Sequence, residues 1–188
     1  MKKIAIALAL SAAICCPAQN LIRNGDFQSV DQDGKLTDWK YNTKAYSQVQ
    51  SDRPGETGKK VVMVKLALPE EKPDAKVSAD LRQRIQLKPG KYQISLTGKV
   101  IGQGVVSCFW GFLDQNRKMM KMKAPWWSKS CLKPSWQTVT GIIDVPEGTK
   151  FVDIVVTSYV YGKYKHKAGT MYIAGVDLAP ADAAAEKK

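Results

Sequence analysis

The chain has a single histidine, His166, and 17 acids against 29 lysines and arginines in its 188 residues. One imidazole set between Lys165 and Lys167 offers no Ser–His–acid or Cys–His arrangement for nucleophilic catalysis. The acids fall in turns and loops, as at Asp31, Asp33, Glu70 and Glu71, so no carboxylate pair for glycoside hydrolysis is legible in the spacing. Glycine-rich phosphate loops and zinc-type cysteine spacings are also missing. A non-catalytic role is therefore expected. The one uncharged apolar run, residues 4–14, is too short for a membrane span. No long helical periodicity, internal repeat or Gly/Ser linker interrupts the chain.

That short run has its own meaning. Lys2 and Lys3 precede it and Cys16-Pro17-Ala18 follows it, the three-part layout of an export signal. Cleavage is expected after Ala18, so residues 1–18 form the signal peptide and Gln19 starts the mature protein. A lipid anchor on Cys15 or Cys16 is the alternative, disfavoured because Ile14 or Cys15 stands where a small residue belongs. The exported product would be periplasmic, cell-surface or secreted. Two cysteines, Cys108 and Cys131, survive cleavage. In an oxidising compartment they are expected to form one disulfide, the alternative being a buried thiol at Cys108.

The formal net charge of +12 falls by the two signal lysines to +10 on the mature chain. Such a charge favours anionic partners by steering, and an acidic glycan is among them. The lysines are scattered, with small clusters at Lys118, Lys121 and Lys123 and at Lys163, Lys165 and Lys167. Scatter of this kind describes a solvated surface rather than a docking stripe, and nothing specific to nucleic acid appears.

The rest of the pattern is strand. In residues 91–99, Tyr92, Ile94 and Leu96 alternate with Gln93, Ser95 and Thr97, a period of two with one buried and one wet face. Residues 61–68, 81–87, 105–113, 136–145, 151–161 and 171–178 read likewise, with turns at Pro89-Gly90 and Pro146-Glu147-Gly148. The expectation is a single all-β domain over residues 19–179, an antiparallel β-sandwich, followed by a flexible tail at 180–188.

One stretch organises the mature N-terminus: NLIRNGDF at residues 20–27, followed by LTDW at 36–39. Leu21 and Ile22 form strand, Asn24-Gly25 is a turn pair, and Phe27 and Trp39 are apolar anchors. This run resembles the opening of carbohydrate-binding modules of the family 4/9/22 (CenC) type, which have a galactose-binding-like jelly roll. LRQRIQLKPGKYQISLTGKV at 81–100, SWQTVTGIIDVPEG at 135–148 and GTMYIAGVDL at 169–178 are similar to later strands of that family, in the family's order. The resemblance implies a jelly roll that binds a poly- or oligosaccharide. It also points to a structural calcium, yet Gln28 and Ala174-Gly175 stand where family members carry acids. Calcium needs several oxygen ligands, so neither metal nor other cofactor is expected, although Asp26 and Asp177 remain.

Sugar recognition needs aromatic faces and polar forks. Strand parity sets Arg82, Arg84 and Gln86 opposite Leu81, Gln83, Ile85 and Leu87. Gln93 lies on the polar face of its strand, and Tyr159 and Tyr161 share a face with Thr157. If these strands neighbour one another as the resemblance implies, the faces merge into one concave surface; an ordinary solvated sheet face is the other reading. Trp126 and Trp127, in a stretch without clean periodicity, are further candidates for exposed ligand contacts, against a loop folded over the methionines at 119, 120 and 122. Trp39, Trp110 and Trp136 are expected in the core. The expected function is glycan binding by stacking and hydrogen bonds; the alternative is a secreted or surface protein-interaction domain using the same sandwich.

Overall fold

The computed structural model describes residues 19–41, 45–120, 127–164 and 168–181. The expected signal peptide, Trp126, His166 and residues 182–188 lie outside them. Ten strands follow in order: β1 (Lys40–Tyr41), β2 (Tyr46–Gln50), β3 (Lys60–Ala67), β4 (Lys76–Ile85), β5 (Gly90–Gly102), β6 (Val105–Leu113), β7 (Trp127–Cys131), β8 (Gln137–Val145), β9 (Phe151–Tyr161) and β10 (Ala168–Pro180). They pair antiparallel into two sheets of five, β1-β4-β9-β6-β7 and β2-β3-β10-β5-β8. The result is an all-β sandwich of jelly-roll type. A turn of 3-10 helix, Gly162–Tyr164, links β9 to β10. Among the described residues no helix is long and apolar enough to cross a membrane.

The core lies between the sheets and follows from strand parity. Ile94, Leu96 and Val100 of β5, Leu81 and Ile85 of β4, and Val152, Ile154, Val156 and Val160 of β9 all belong to it. Their alternate neighbours face outward.

The N-terminal stretch is tied to the sandwich as expected, but without forming a strand. Asn20 does the tying: its Oδ1 accepts from the backbone N–H of Leu178 at 2.9 Å, and its Nδ2 donates to the Val176 carbonyl at 3.1 Å. The Leu21 N–H donates to Leu178 and the Val176 N–H to Gly25. Gly25 sits so close to β10 that an added Cβ would lie 2.3 Å from the Val176 carbonyl oxygen. Phe27, fully buried, packs against Trp39 with ring centroids 5.2 Å apart. The Trp39 indole N–H donates to the Asn24 carbonyl at 2.9 Å. On β4 the one inward polar side chain, Gln83, is satisfied by the same stretch: it accepts from the Arg23 N–H and donates to the carbonyls of Arg23 and Asp38.

The expected disulfide is not formed. Cys108 and Cys131 are both buried free thiols. Across β6 and β7, Cys108 stands opposite Lys129 and Cys131 opposite Val106, so the two cysteines are diagonal neighbours. Diagonal pairs are about 7–8 Å apart, beyond the roughly 4.4–6.8 Å that a disulfide spans. Burial, with Cys131 nearby, pushes the Cys108 thiol up to about 12. Burial lifts Cys131 to about 11. Trp110 is in the core as expected, whereas Trp136 is half-buried and outside it.

Candidate functional site

The outer face of the first sheet gathers half of the eight expected residues. Register places Arg82 opposite Val155 and Arg84 opposite Asp153 across β4 and β9, with Asp80 opposite Thr157 and Ser78 opposite Tyr159. Lys76 faces Tyr161 at the end of the same pair, and Lys40 of β1 faces Arg82. From the other side β6 brings Val105 to Tyr159, Ser107 to Thr157, Phe109 to Val155 and Gly111 to Asp153. One surface thus carries Arg82, Arg84, Tyr159 and Tyr161, as parity predicts.

Exposure is graded across this surface, hereafter the trough. Five outward side chains of β6 and β9 are shielded: Val105, Ser107, Asp153, Val155 and Thr157 are all buried. Longer side chains rise around them, with Phe109, Tyr159 and Tyr161 half-buried and Lys40, Lys76 and Arg82 exposed. Where β1 meets β4, Lys40, Tyr41, Asp80 and Arg82 line a cavity of about 310 Å³.

Polar groups are placed along the trough. Arg84 donates from Nε and Nη2 to the two oxygens of Asp153 at 2.6 and 2.8 Å. These bonds push the Arg84 guanidinium up against the opposing effect of burial. Ser107 and Ser130 hydroxyls lie 2.7 Å apart. Lys76 Nζ stands 4.8 Å from the Tyr159 ring centroid. Inside the sandwich, on β2 of the second sheet, the buried Tyr46 hydroxyl has no hydrogen-bond partner among the described residues. Burial and then the Asp80 carboxylate push it well above the usual phenol range.

The remaining expected residues divide. Gln86 is exposed and just past β4, in phase with Arg84. Gln93 is in β5, on the outer face of the second sheet with Ser95 and Thr97. The faces expected to merge are thus on opposite sides of the sandwich, because β4 and β5, though consecutive, belong to different sheets. Trp127 lies in a strand, not a loop, opposite Trp110 in register; Trp126 lies outside the described residues. Lys40, Asp80, Phe109, Ser107 and Asp153 were not anticipated. Asp153 had a signal, a lone acid inside FVDIVV, whereas Phe109 was hidden in a strand that is apolar on both faces. At the N-terminal clamp, Gln28 Nε2 donates to the carbonyls of Asp26 and Lys60 at 2.6 and 2.7 Å, and its Oε1 accepts from the Lys60 N–H. Among the described residues no three metal-ligating side chains gather.

No family model and no curated protein matches this chain. Among solved structures it is similar to the module TmCBM61, described in complex with β-1,4-galactotriose, with a TM-score of 0.57 at 15% identity, over 87% of this chain and 99% of that one. A family 16 carbohydrate binding module is matched with a TM-score of 0.56 at 20% identity, over 85% of this chain and 99% of that one. The enzymatically active domain of bacteriophage CBA120 tailspike protein 4 gives a TM-score of 0.59 at 16% identity, over 85% of this chain but 21% of that one. At these identities the likeness is one of fold: this chain has the β-sandwich seen in carbohydrate-binding modules, in agreement with the resemblance carried by its N-terminal motif.

Proposed function

We propose that this protein is an exported, non-catalytic carbohydrate-binding module that lays a poly- or oligosaccharide along the trough of the first sheet. The observation that carries the reading is the combination on one face of shielded side chains with half-buried rings and exposed cations. Phe109, Tyr159 and Tyr161 offer apolar surface to the C–H faces of pyranose rings. Arg82 and Lys40 offer donors to hydroxyls or carboxylates, and the serine and threonine hydroxyls serve as short-range partners. Four cations, Lys40, Lys76, Arg82 and Arg84, stand on this face beside two acids, Asp80 and Asp153, with Arg84 and Asp153 paired to each other. That balance, within a chain of formal charge +12, favours an acidic glycan.

A glycan array carrying neutral and acidic polysaccharides tests the proposal. Purified protein is expected to retain acidic glycans, with binding weakened by Tyr159→Ala and Arg82→Ala. Retention of no glycan, or undiminished binding by both variants, would reject the trough as the site.

A further inference from the structure

The outer face of the second sheet holds a separate arrangement that the trough does not use. Lys99 of β5 points outward, yet its side chain is 7% exposed. Its ammonium stands 5.0 Å from the Trp136 ring centroid and 4.7 Å from that of Tyr172, and both rings are half-buried. A shielded ammonium needs an acceptor. Here it receives the carboxylate of Asp52, whose Oδ2 pairs with Lys99 Nζ while its Oδ1 accepts from the Trp136 indole N–H at 2.9 Å. Each carboxylate oxygen thus has its own donor. Lys99 and Trp136 form a fork matched to one carboxylate, framed by aromatic walls.

The carboxylate in the fork comes from the solvent side. Asp52 has a side chain 68% exposed and belongs to the connection 51–59 between β2 and β3. That connection holds its own shape without Asp52. The Ser51 N–H donates to the Lys59 carbonyl, Arg53 pairs with Glu56 at 2.8 Å, and the Arg53 N–H donates to the Ser51 hydroxyl. Withdrawing the carboxylate would open the fork and leave the segment folded. Two residues along the same face, the Thr97 and Thr138 hydroxyls are 2.9 Å apart, a polar neighbour for a ligand larger than a bare carboxylate.

We propose that Lys99 and Trp136 form a second ligand site on this face, closed by Asp52 as an exchangeable occupant, and that its external ligand is a carboxylate borne on a sugar ring, a uronic acid. The fork takes the carboxylate, the half-buried Trp136 and Tyr172 rings flank the sugar, and the Thr97–Thr138 pair meets a hydroxyl.

Asp52→Ala tests this with galacturonate, acetate and galactose as probes, read as backbone amide shifts of isotopically labelled protein around Lys99 and Tyr172. Asp52→Ala is expected to bind galacturonate saturably, acetate roughly tenfold more weakly and galactose not at all, while wild type binds galacturonate at least roughly tenfold more weakly than the variant. Adding Trp136→Phe to Asp52→Ala removes one donor and keeps an aromatic ring, and should weaken galacturonate by roughly tenfold. No saturable shift in Asp52→Ala, equal binding of galactose or acetate, or full affinity in the double variant overturns the site. Tyr159→Ala, on the opposite face, should leave these shifts unchanged, so failure here is distinguishable from failure of the trough.

Discussion

Arg84 and Arg82 are two positions apart on the same face of β4, and the structure gives them different work. Arg84 is tied by both of its bonds to Asp153, which is 4% exposed. Removing it strands a shielded carboxylate, so Arg84→Ala is expected to lower unfolding stability by about 1–3 kcal/mol, less than for a fully buried pair because the Arg84 side chain is itself 38% exposed. Chemical denaturation of wild type and variant measures this, and an unchanged midpoint would show that the pair contributes nothing. Arg82 and Tyr159 are the residues to test for ligand binding: each alanine variant should lose about 1–3 kcal/mol of glycan affinity with its melting temperature held, measured by calorimetry on the glycan the array retains. Parity alone put both arginines on one face in the sequence. Their division of labour was not legible, because the partner of Arg84 is 69 residues away and only the β4–β9 register brings it near.

At the scale of elements, legibility followed length. The long strands could be read from the pattern: β6 and β9 match their expected spans, and β5 contains its expected span and runs three residues further. The two residues of β1 and five of β2 and β7 are too short to show a period, and those are edge strands. The expected disulfide failed at this scale too, since counting cysteines cannot give their register across β6 and β7. The free thiols have a consequence for alkaline stability. Cys108, raised from 9.0 to about 12, and Cys131, raised from 9.0 to about 11, favour their protonated forms in the folded state. The stability this contributes is fully present below pH 9 and is lost as pH rises from 9 through the folded values. A Cys108→Ala, Cys131→Ala protein should therefore show a flatter decline in denaturation midpoint between pH 8 and about 11 than wild type. Tyr46, raised by burial, contributes with the same sign in both proteins and cancels in the comparison. Parallel declines would mean that the thiols ionise in the folded protein as freely as in the unfolded chain.

For the whole molecule, the sandwich was legible because nearly every segment alternates and no helix competes; which strand joins which sheet was not, and that alone sent Gln93 to the far side from Arg84. The N-terminal clamp belongs to the same scale, because residues 20–28 join β3 and β10 of the second sheet to β4 of the first. Where the resembling family carries an acid, this chain has Gln28, and its amide N–H groups occupy the carbonyls of Asp26 and Lys60. Calcium binds carbonyl and carboxylate oxygens, so these two carbonyls are candidate ligands if an acid stood at residue 28. Asp177 is engaged by the Asn20 amide at 2.9 Å and by the Ser95 hydroxyl at 3.4 Å. We propose that the neutral Gln28 donor stands in the role of a cation, so that chelators should leave the melting temperature of wild type unchanged. Gln28→Glu reverses the chemistry: a carboxylate set against two carbonyl oxygens repels them unless a cation intervenes. That variant should melt below wild type in chelator and recover with millimolar calcium, since an ion bound only by the folded state stabilises it by mass action. Thermal melts of both proteins with and without calcium decide the matter. A fall in the wild-type melting temperature on chelation would mean that the Gln28 amide does not replace a metal, and a Gln28→Glu protein indifferent to calcium would mean that these carbonyls cannot hold one.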